Sequence, residues 1–486
     1  MNAAPRLRLV DVERFERDVA FRIPFRFGVI TVTHGTQAVL RVRIELEDGR
    51  HAEGVAAECL GAKWFDKNPA LSDTQNLDQL RQALQIAIDL YGAAGLRTAF
   101  GHFESAYPEQ VARGAALALN PLVANYGPAL LDRAILDALG RALGRSFQDL
   151  VRTNAAGLRV GELTPDLAGF ALDGFLAALA PRPTIDVRHT VGLVDSLTDA
   201  DRPGAPVGDG LPETLEEVVR QYQGRFYKLK VGGRIDADLD RLTRIAAVLD
   251  AGPAYKATLD GNEQYDDVEG FLALWERMAA TPALARLCAS ILFVEQPIKR
   301  AVALARPVTA MARHRPLIID ESDGELRAFP DSLALGYSGV SSKTCKGLYK
   351  SLLNAARVAR INAEAGSPRA FMSAEDLTTW AGVSVQQDLA LVALIGLGHV
   401  ERNGHHFIDG MRFAPPAEQR AFAAGHPDLY DIASGTARLR IAPGGRLALG
   451  SLGCPGFAVA AAMDFAAMRP MPAAPRETIV PRGAPA

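Results

Sequence analysis

An α/β barrel of the (β/α)8 type, carrying a smaller α+β unit, is the fold that three observations predict. Between Phe226 and Lys346, short apolar runs end in charged residues at a spacing that fits one strand, one helix and two short loops. Residues 7–58 alternate apolar and polar side chains, as antiparallel strands do. Residues 76–153 instead carry apolar side chains at helical spacing. At 486 residues the chain is also too long for one ordinary core, so two domains are expected.

The N-terminal unit comes first. Ala38-Val39-Leu40-Arg41-Val42-Arg43-Ile44-Glu45-Leu46 alternates, Asp48-Gly49 makes a turn, and a return strand runs from His51 to Ala57. Before it, Phe25-Arg26-Phe27-Gly28-Val29-Ile30-Thr31 sets a glycine among aromatics and reads as a mobile loop. Leu77, Leu80, Leu84, Ile88 and Tyr91 mark one helix, and Leu131, Ile135, Leu139 and Leu143 another. A meander followed by helices is an α+β domain, expected over 1–155. Residues 154–183 are rich in Gly, Ala, Pro and Leu and read as a linker or insertion. The barrel is expected over 184–434, with a first strand at 185–193 and a Pro/Gly-rich loop at 199–212. Residues 404–433 read as an extended loop, with the pair His405-His406 solvated in it. The tail, 435–486, is expected to return to the N-terminal domain.

The barrel runs carry the chemistry. They end at Lys228-Leu229-Lys230, Asp260-Gly261-Asn262, Glu295-Gln296-Pro297, Asp320-Glu321 and, after Gly339-Val340-Ser341-Ser342, at Lys343. The intervals are 30 (230 to 260), 35 (260 to 295), 25 (295 to 320) and 23 (320 to 343). Charges at the C-terminal ends of successive parallel strands gather at one mouth. Asp260, Glu295 and Asp320 would offer the hard anionic oxygens that Mg²⁺ selects, with Mn²⁺ a near substitute. With no histidine or cysteine at these strand ends, zinc is disfavoured. Glu321 directly follows Asp320, and strand alternation lets only one of the two face the mouth. A metal held there can bind a substrate carboxylate and stabilise the charge that develops when the neighbouring carbon loses its proton.

Lys228 and Lys230 are two apart and project to the same side of a strand. Like charges in a partly dry pocket are expected to depress a lysine pKa toward neutrality, which suits a general base. Lys343 comes four strands further round, nearly opposite. A base on each face of a planar carbanion is what 1,1-proton transfer requires. Taken singly, a Lys-x-Lys pair is usually solvated and an Asp-Gly-Asn is usually a turn. Their joint placement at βα intervals favours a site.

Composition excludes other classes. Apolar residues make up 48% and charged residues 22%, which describes a globular chain rather than a disordered one. A net charge of -3 gives no electrostatic case for nucleic acid. No apolar run is long enough to cross a bilayer, and Met1-Asn2-Ala3-Ala4-Pro5-Arg6 does not read as a signal peptide. The four scattered cysteines, Cys59, Cys288, Cys345 and Cys454, fit a reduced cytoplasmic setting, with Cys345 a buried inert thiol.

These motifs together resemble the enolase superfamily, and the lysine placement is similar to its muconate-lactonizing-enzyme subgroup (mandelate racemase/muconate lactonizing enzyme family). The resemblance implies a modified TIM barrel with an α+β capping domain, one Mg²⁺, and abstraction of a proton α to a carboxylate. It implies Asp260, Glu295 and Asp320 as metal ligands, with Lys230 and Lys343 as the acid/base pair. Lys228 would assist Lys230 and contact the substrate carboxylate. A small carboxylate-bearing substrate and a homo-oligomer are implied as partners. The segment Phe371-Met372-Ser373-Ala374-Glu375-Asp376 lacks the histidine base of the sugar-acid dehydratases. The eighth strand reads His399-Val400-Glu401-Arg402-Asn403, not the Asp-x-Asp of dipeptide epimerases. His399, Glu401 and Asn403 would point one way and are candidate substrate-binding residues, with Asn262 and Glu321. The expected activity is a racemase or epimerase. A dehydratase, a cycloisomerase or an o-succinylbenzoate-synthase-like lyase could use the same site, and a non-catalytic binding barrel is the reading of another class.

Overall fold

The structure, a computed structural model, describes residues 4–27 and 30–479. Strands β1 (Leu7–Phe27), β2 (Ile30–Leu46) and β3 (His51–Cys59) form an antiparallel meander. In β2 the side chains of Val42, Ile44 and Leu46 are buried, while Arg41, Arg43 and Glu45 between them are not. The buried face packs on the helix Tyr126–Leu143, which approaches so closely that a Cβ on Gly54 would collide with the Ala134 carbonyl and the Ala138 amide. Helix Asp73–Ala93 begins in a capping box, Ser72 with Gln75, which satisfies two otherwise orphaned amides. Within the expected loop 25–31, Gly28 and Val29 lie outside the described residues. On either side of them Arg26 pairs with Thr31 and Phe25 with Val32, so the segment continues the β1–β2 ladder.

Eight parallel strands follow: β4 (Thr184–Val191), β5 (Phe226–Lys230), β6 (Lys256–Asp260), β7 (Ile291–Glu295), β8 (Leu317–Ile319), β9 (Gly339–Ser342), β10 (Phe371–Ala374) and β11 (His399–Arg402). Each pairs with its neighbour in chain order, and β11 closes on β4. Leu229, Leu259, Val294 and Val340 are completely buried where the strands meet the surrounding helices. At the N-terminal end the interior is plugged by rings. Phe226 stacks on His399 with centroids 4.5 Å apart, and Phe293 lies 5.5 Å from Phe371. The Arg188 guanidinium sits 5.3 Å from the Phe293 ring. Polar residues fill the opposite end.

Two connecting segments are more ordered than composition implies. Within 154–183, Leu167, Leu172 and Leu176 join the main core, the last two from a helix, Leu172–Ala178. Residues 404–433 are not an extended loop but hold the helices Gly404–Phe407 and Pro416–Gly425, with Phe407, Met411, Phe422 and Leu429 buried. Pro415 and Pro416 open the second helix, where a proline's missing amide costs nothing. In the tail, β12 (Tyr430–Asp431) pairs with β13 (Arg438–Leu439), β14 (Arg446–Ala448) adds antiparallel to β4, and β15 (Arg469–Pro470) pairs with β1.

Cap and barrel are stitched together around the mouth. Arg300 donates to the carbonyls of Trp64 and Phe65, both at 2.8 Å. Gln387 donates to Val55 O at 2.8 Å, and Asn125 donates to Gly324 O at 2.7 Å. Among the described residues no helix is long and apolar enough to cross a membrane.

Candidate active site at the barrel mouth

The turns that follow β6, β7 and β8 hold the acids in place. Gly261 passes so close to Pro297 that a Cβ there would collide with it. Asn262, Glu263 and Gln296 have left-handed φ of 42°, 67° and 33°. Non-glycine residues adopt such angles where the surroundings over-determine them, and here hydrogen bonds do so. The Asn262 amide donates to Asp260 Oδ1 at 2.8 Å. The Gln296 side chain accepts from the amides of Asp320 (2.9 Å) and Ser322 (3.1 Å), tying the ends of β7 and β8 together.

Register brings Lys230 level with Asp260, and Asp260 level with Glu295. Lys230 Nζ lies 2.6 Å from Asp260 Oδ2, and Lys343 Nζ lies 2.6 Å from Asp320 Oδ2. Since β5 and β9 are four strands apart in a ring of eight, these two lysines come from opposing walls. Lys228 reaches up from one level below and pairs with Glu295 (2.7 Å), Glu401 (2.8 Å), Asp260 (2.9 Å) and Glu375 (2.9 Å). Asp260, Glu295 and Asp320 are all fully buried.

Burial opposes the charge of Lys228, but its four carboxylates outweigh burial and hold its pKa well above the ordinary value. Lys343 is likewise raised, because Asp320 outweighs both burial and repulsion from Lys228. The depression toward neutrality expected from the Lys228–Lys230 spacing is therefore not found for Lys228. Its ammonium meets a carboxylate at under 3 Å, and that contact dominates the like-charge repulsion that the spacing suggested. Burial also opposes the charge of Asp320, yet Lys343, Lys346 and Lys228 hold it below the usual carboxylate range. Glu295 goes the other way: burial, then Asp260 and Glu375, push its carboxyl well up.

The remaining sequence candidates divide. Glu321 turns away from Lys343 toward Asn262 Nδ2 (3.4 Å) and Lys67 (3.5 Å), so Asp320 is the one that faces the mouth lysines. Glu401 points inward and accepts from Thr190 Oγ1 at 2.7 Å. Asn403, at the end of β11, is 3% exposed and leaves its Oδ1 without a partner. His399 also points inward but stands at the start of β11, against Phe226 and Arg188, so it belongs to the closed end rather than the mouth. Burial, and then Arg188, push its imidazole down to about 3. His405 and His406 are not solvated. Their rings pack against His189, on the outer face of β4, with centroids 5.5 and 4.9 Å away. Cys345 is 2% exposed, and burial pushes its thiol well up.

Several residues of the site escaped the sequence reading. Glu375 ends β10 as Glu295 ends β7, and the same rule, a charge closing an apolar run, would have found it. Lys346 donates to Ser341 Oγ at 2.6 Å and pairs with Asp323 at 3.1 Å, and Lys350 pairs with Asp323 at 3.2 Å. Their spacing on the Lys343 side carried the signal. Trp64, from the capping domain, lies over the Lys343 ammonium at 4.3 Å, and Lys67 donates to Asn262 O at 2.9 Å. No local pattern announces these two.

The donor set suits a hard divalent cation. Asp260, Glu295 and Asp320 present only oxygens, and both Glu295 oxygens are buried without a donor of their own, between the Lys228 ammonium and the Glu375 carboxyl. A buried acceptor left so asks for a cation. Among the described residues no three acidic, histidine or cysteine side chains are already arranged to hold a metal ion. The point on which Asp260, Glu295, Glu375 and Glu401 converge is filled by the Lys228 ammonium.

No protein-family model matches the chain, and no curated protein matches it. Solved structures do. A dipeptide epimerase from Enterococcus faecalis V583, complexed with Mg and the dipeptide L-Leu-L-Tyr, gives a TM-score of 0.58 at 15% identity, over 93% of this chain and 99% of that one. The 2-chloromuconate cycloisomerase from Rhodococcus opacus 1CP gives 0.54 at 16% identity, over 95% and 98%. The L-Ala-D/L-Glu epimerase from Bacillus subtilis, in a substrate-liganded complex, gives 0.54 at 16% identity, over 94% and 100%. At these identities the likeness is one of fold, and the fold is a modified TIM barrel with an α+β capping domain.

Proposed function

We propose that this chain is an enolase-superfamily enzyme of the muconate-lactonizing-enzyme type, which removes the proton α to a carboxylate of a small substrate, most simply as a racemase or epimerase. The observation that carries the reading is the pair Lys230 and Lys343, four strands apart, each 2.6 Å from an acid of the arc Asp260–Glu295–Asp320. The shared fold with epimerases and a cycloisomerase supports it.

In this reading Asp260, Glu295 and Asp320 hold one Mg²⁺, or Mn²⁺ in its place. The cation supplies positive charge against the substrate carboxylate as the adjacent carbon loses its proton. Lys230 Nζ takes the proton from one face and Lys343 Nζ returns one from the other. Lys343, whose ammonium Asp320 favours, starts as the donor. The cap excludes water: Trp64 covers Lys343, and Lys67 with Arg300 anchors the 61–68 segment over the mouth.

One observation favours a second reading. An aromatic face over Lys343 suits a resident cation as well as a base. Lys230 alone would then move the proton, in a syn-elimination of water or a cycloisomerisation. Incubation with divalent metal and candidate carboxylic acids in D₂O separates the outcomes. Racemisation places deuterium at the α carbon, whereas the second reading yields a new alkene or lactone. Interconversion of the enantiomers in the first reading, and the alkene or lactone in the second, must vanish in Lys230→Ala. A barrel that binds without catalysis would give neither product, and that result would remove the proposal. A cytoplasmic homo-oligomer is the form expected for such an enzyme.

A further inference from the structure

Lys228 stands on a border between two pairs of carboxylates. On one side are Asp260 and Glu295, at 2.9 and 2.7 Å, which the reading above assigns to the metal arc. On the other are Glu375 and Glu401, at 2.9 and 2.8 Å, which lie outside it. One ammonium, 1% exposed, faces all four.

The two pairs are not held alike. Glu375 is fixed without Lys228, by an ion pair with Arg188 and by Ser373 Oγ at 2.5 Å. Glu401 is fixed by Thr190 Oγ1 at 2.7 Å and by the Asp376 amide at 2.8 Å. Glu295 is fixed by no donor of its own: its oxygens meet the Lys228 ammonium and the Glu375 carboxyl. A divalent ion between Asp260 and Glu295 would stand at ion-pair distance from the ammonium, a strongly repulsive contact in a dry interior. The ammonium would have to yield, and Glu375 and Glu401 offer it a prepared seat on the same level of the barrel.

We propose that Lys228 is a displaceable internal cation, which neutralises Asp260 and Glu295 in the metal-free protein and withdraws onto Glu375 and Glu401 when a divalent ion binds. Glu375 and Glu401 are then positioning residues that set the metal affinity of an arc to which they do not belong. The inference rests on the proposed metal site, and it replaces direct contact between Lys228 and the substrate carboxylate with an inner electrostatic role.

The test is a titration of the full-length, chelator-stripped protein with Mn²⁺, following free Mn²⁺ by electron paramagnetic resonance. Wild type should bind one ion per chain and Asp260→Asn should lose it. Glu375→Gln with Glu401→Gln should weaken binding tenfold or more, and Glu401→Asp, which keeps the charge, should recover much of the loss. Near-UV circular dichroism in chelator must stay near wild type. The thermal midpoint of the double variant is expected to fall, because Glu375→Gln strands the buried Arg188. Glu401→Gln, which leaves that ion pair intact, is therefore titrated beside it and must keep its midpoint. Lys228→Met should bind Mn²⁺ at least as tightly as wild type. The inference is overturned if the double variant titrates like wild type, or if folded Lys228→Met binds more weakly. Should Lys228→Met not fold, Glu401→Gln alone decides: unchanged affinity overturns the inference. If wild type binds no Mn²⁺ at all, the metal site itself has failed and the inference falls with it.

Discussion

Lys230 and Lys343 each end 2.6 Å from an aspartate, yet the ground behind them differs. On the Lys230 wall, Asp260 is shared with Lys228, whose other neighbours are Glu295, Glu375 and Glu401, so carboxylates outnumber ammoniums. On the Lys343 wall, Asp320 is shared with Lys346 at 3.3 Å, and Lys346 and Lys350 share Asp323, so three ammoniums face two aspartates. An indole from the cap lies on that cationic wall as well. The mouth is therefore polarised from an anionic side to a cationic one. A substrate whose α carbon becomes negative would be drawn toward Lys343.

Removing either lysine tests the polarity most severely. Lys230→Ala and Lys343→Ala should each lower deuterium exchange by about 10²–10⁴-fold, the range for one positioned acid or base. If the walls act as a pair, each variant loses exchange from one enantiomer and keeps it from the other. Loss of both enantiomers in Lys230→Ala alone, with Lys343→Ala still exchanging, would reduce Lys343 to a fixed cation. Chiral chromatography with mass spectrometry reads the result.

The next effect concerns stability. Asp320→Asn would remove the carboxylate that Lys343 pairs with and leave Lys346 to share Asp323 with Lys350, and stranding a buried charge costs about 3–5 kcal/mol. Asp260→Asn strands Lys230 but not Lys228, which keeps three other carboxylates. It should cost less, because the ammoniums left on that wall are still outnumbered by carboxylates. Urea unfolding in chelator measures both. Equal losses would mean that the walls are balanced after all.

What the sequence could and could not say follows the same line. The period of charge-capped apolar runs made the barrel legible, and strand geometry alone put Lys230 and Lys343 on opposing walls. Glu375 was missed because a histidine was sought at that strand end, not because its signal was weak. Lys346 and Lys350 were missed because their partner, Asp323, is reached only through the turn after β8. Trp64 and Lys67 were illegible: they come to the mouth from a cap more than 150 residues away in sequence from the strands they serve. His399 shows the limit of alternation, which gives the face of a strand but not the depth along it. The lysine pKa expectation failed for a related reason, since like-charge spacing is local and the carboxylates that reverse it come from other strands.

Lys350 gives a smaller, pH-resolved effect at the back of the cationic wall. It is 6% exposed, and burial, aided by Lys346 and opposed by Asp323, pushes its pKa down from 10.5 to about 8. The folded state thus releases this proton before the unfolded state does, so the ammonium costs roughly 3 kcal/mol below pH 8. That cost should fade as pH rises from 8 to 10.5 and be gone above it. Wild-type stability should therefore gain on Lys350→Met in reverse: the variant is favoured at pH 7.5, and its advantage shrinks steadily to pH 10.5. Urea midpoints of both proteins across that range show it, and a pH-independent difference would place Lys350 in a wetter setting than its burial implies.

The finest distinction between the walls is the indole over Lys343. A cation–π contact of a largely desolvated ammonium contributes about 1–2 kcal/mol, but Trp64 is also 5% exposed and packs in the main core, so simple truncation would mix the two effects. A double-mutant cycle between Trp64→Leu and Lys343→Met separates them, because the packing loss is common to both backgrounds. The expected coupling is about 1 kcal/mol in favour of the wild-type pair. The matching cycle between Trp64→Leu and Lys230→Met should give a value near zero, since Trp64 belongs to one wall only. Coupling of similar size in both cycles would mean that the cap senses the charge of the whole mouth rather than a single ammonium, and the asymmetry between the walls would then lie in their aspartates and lysines alone.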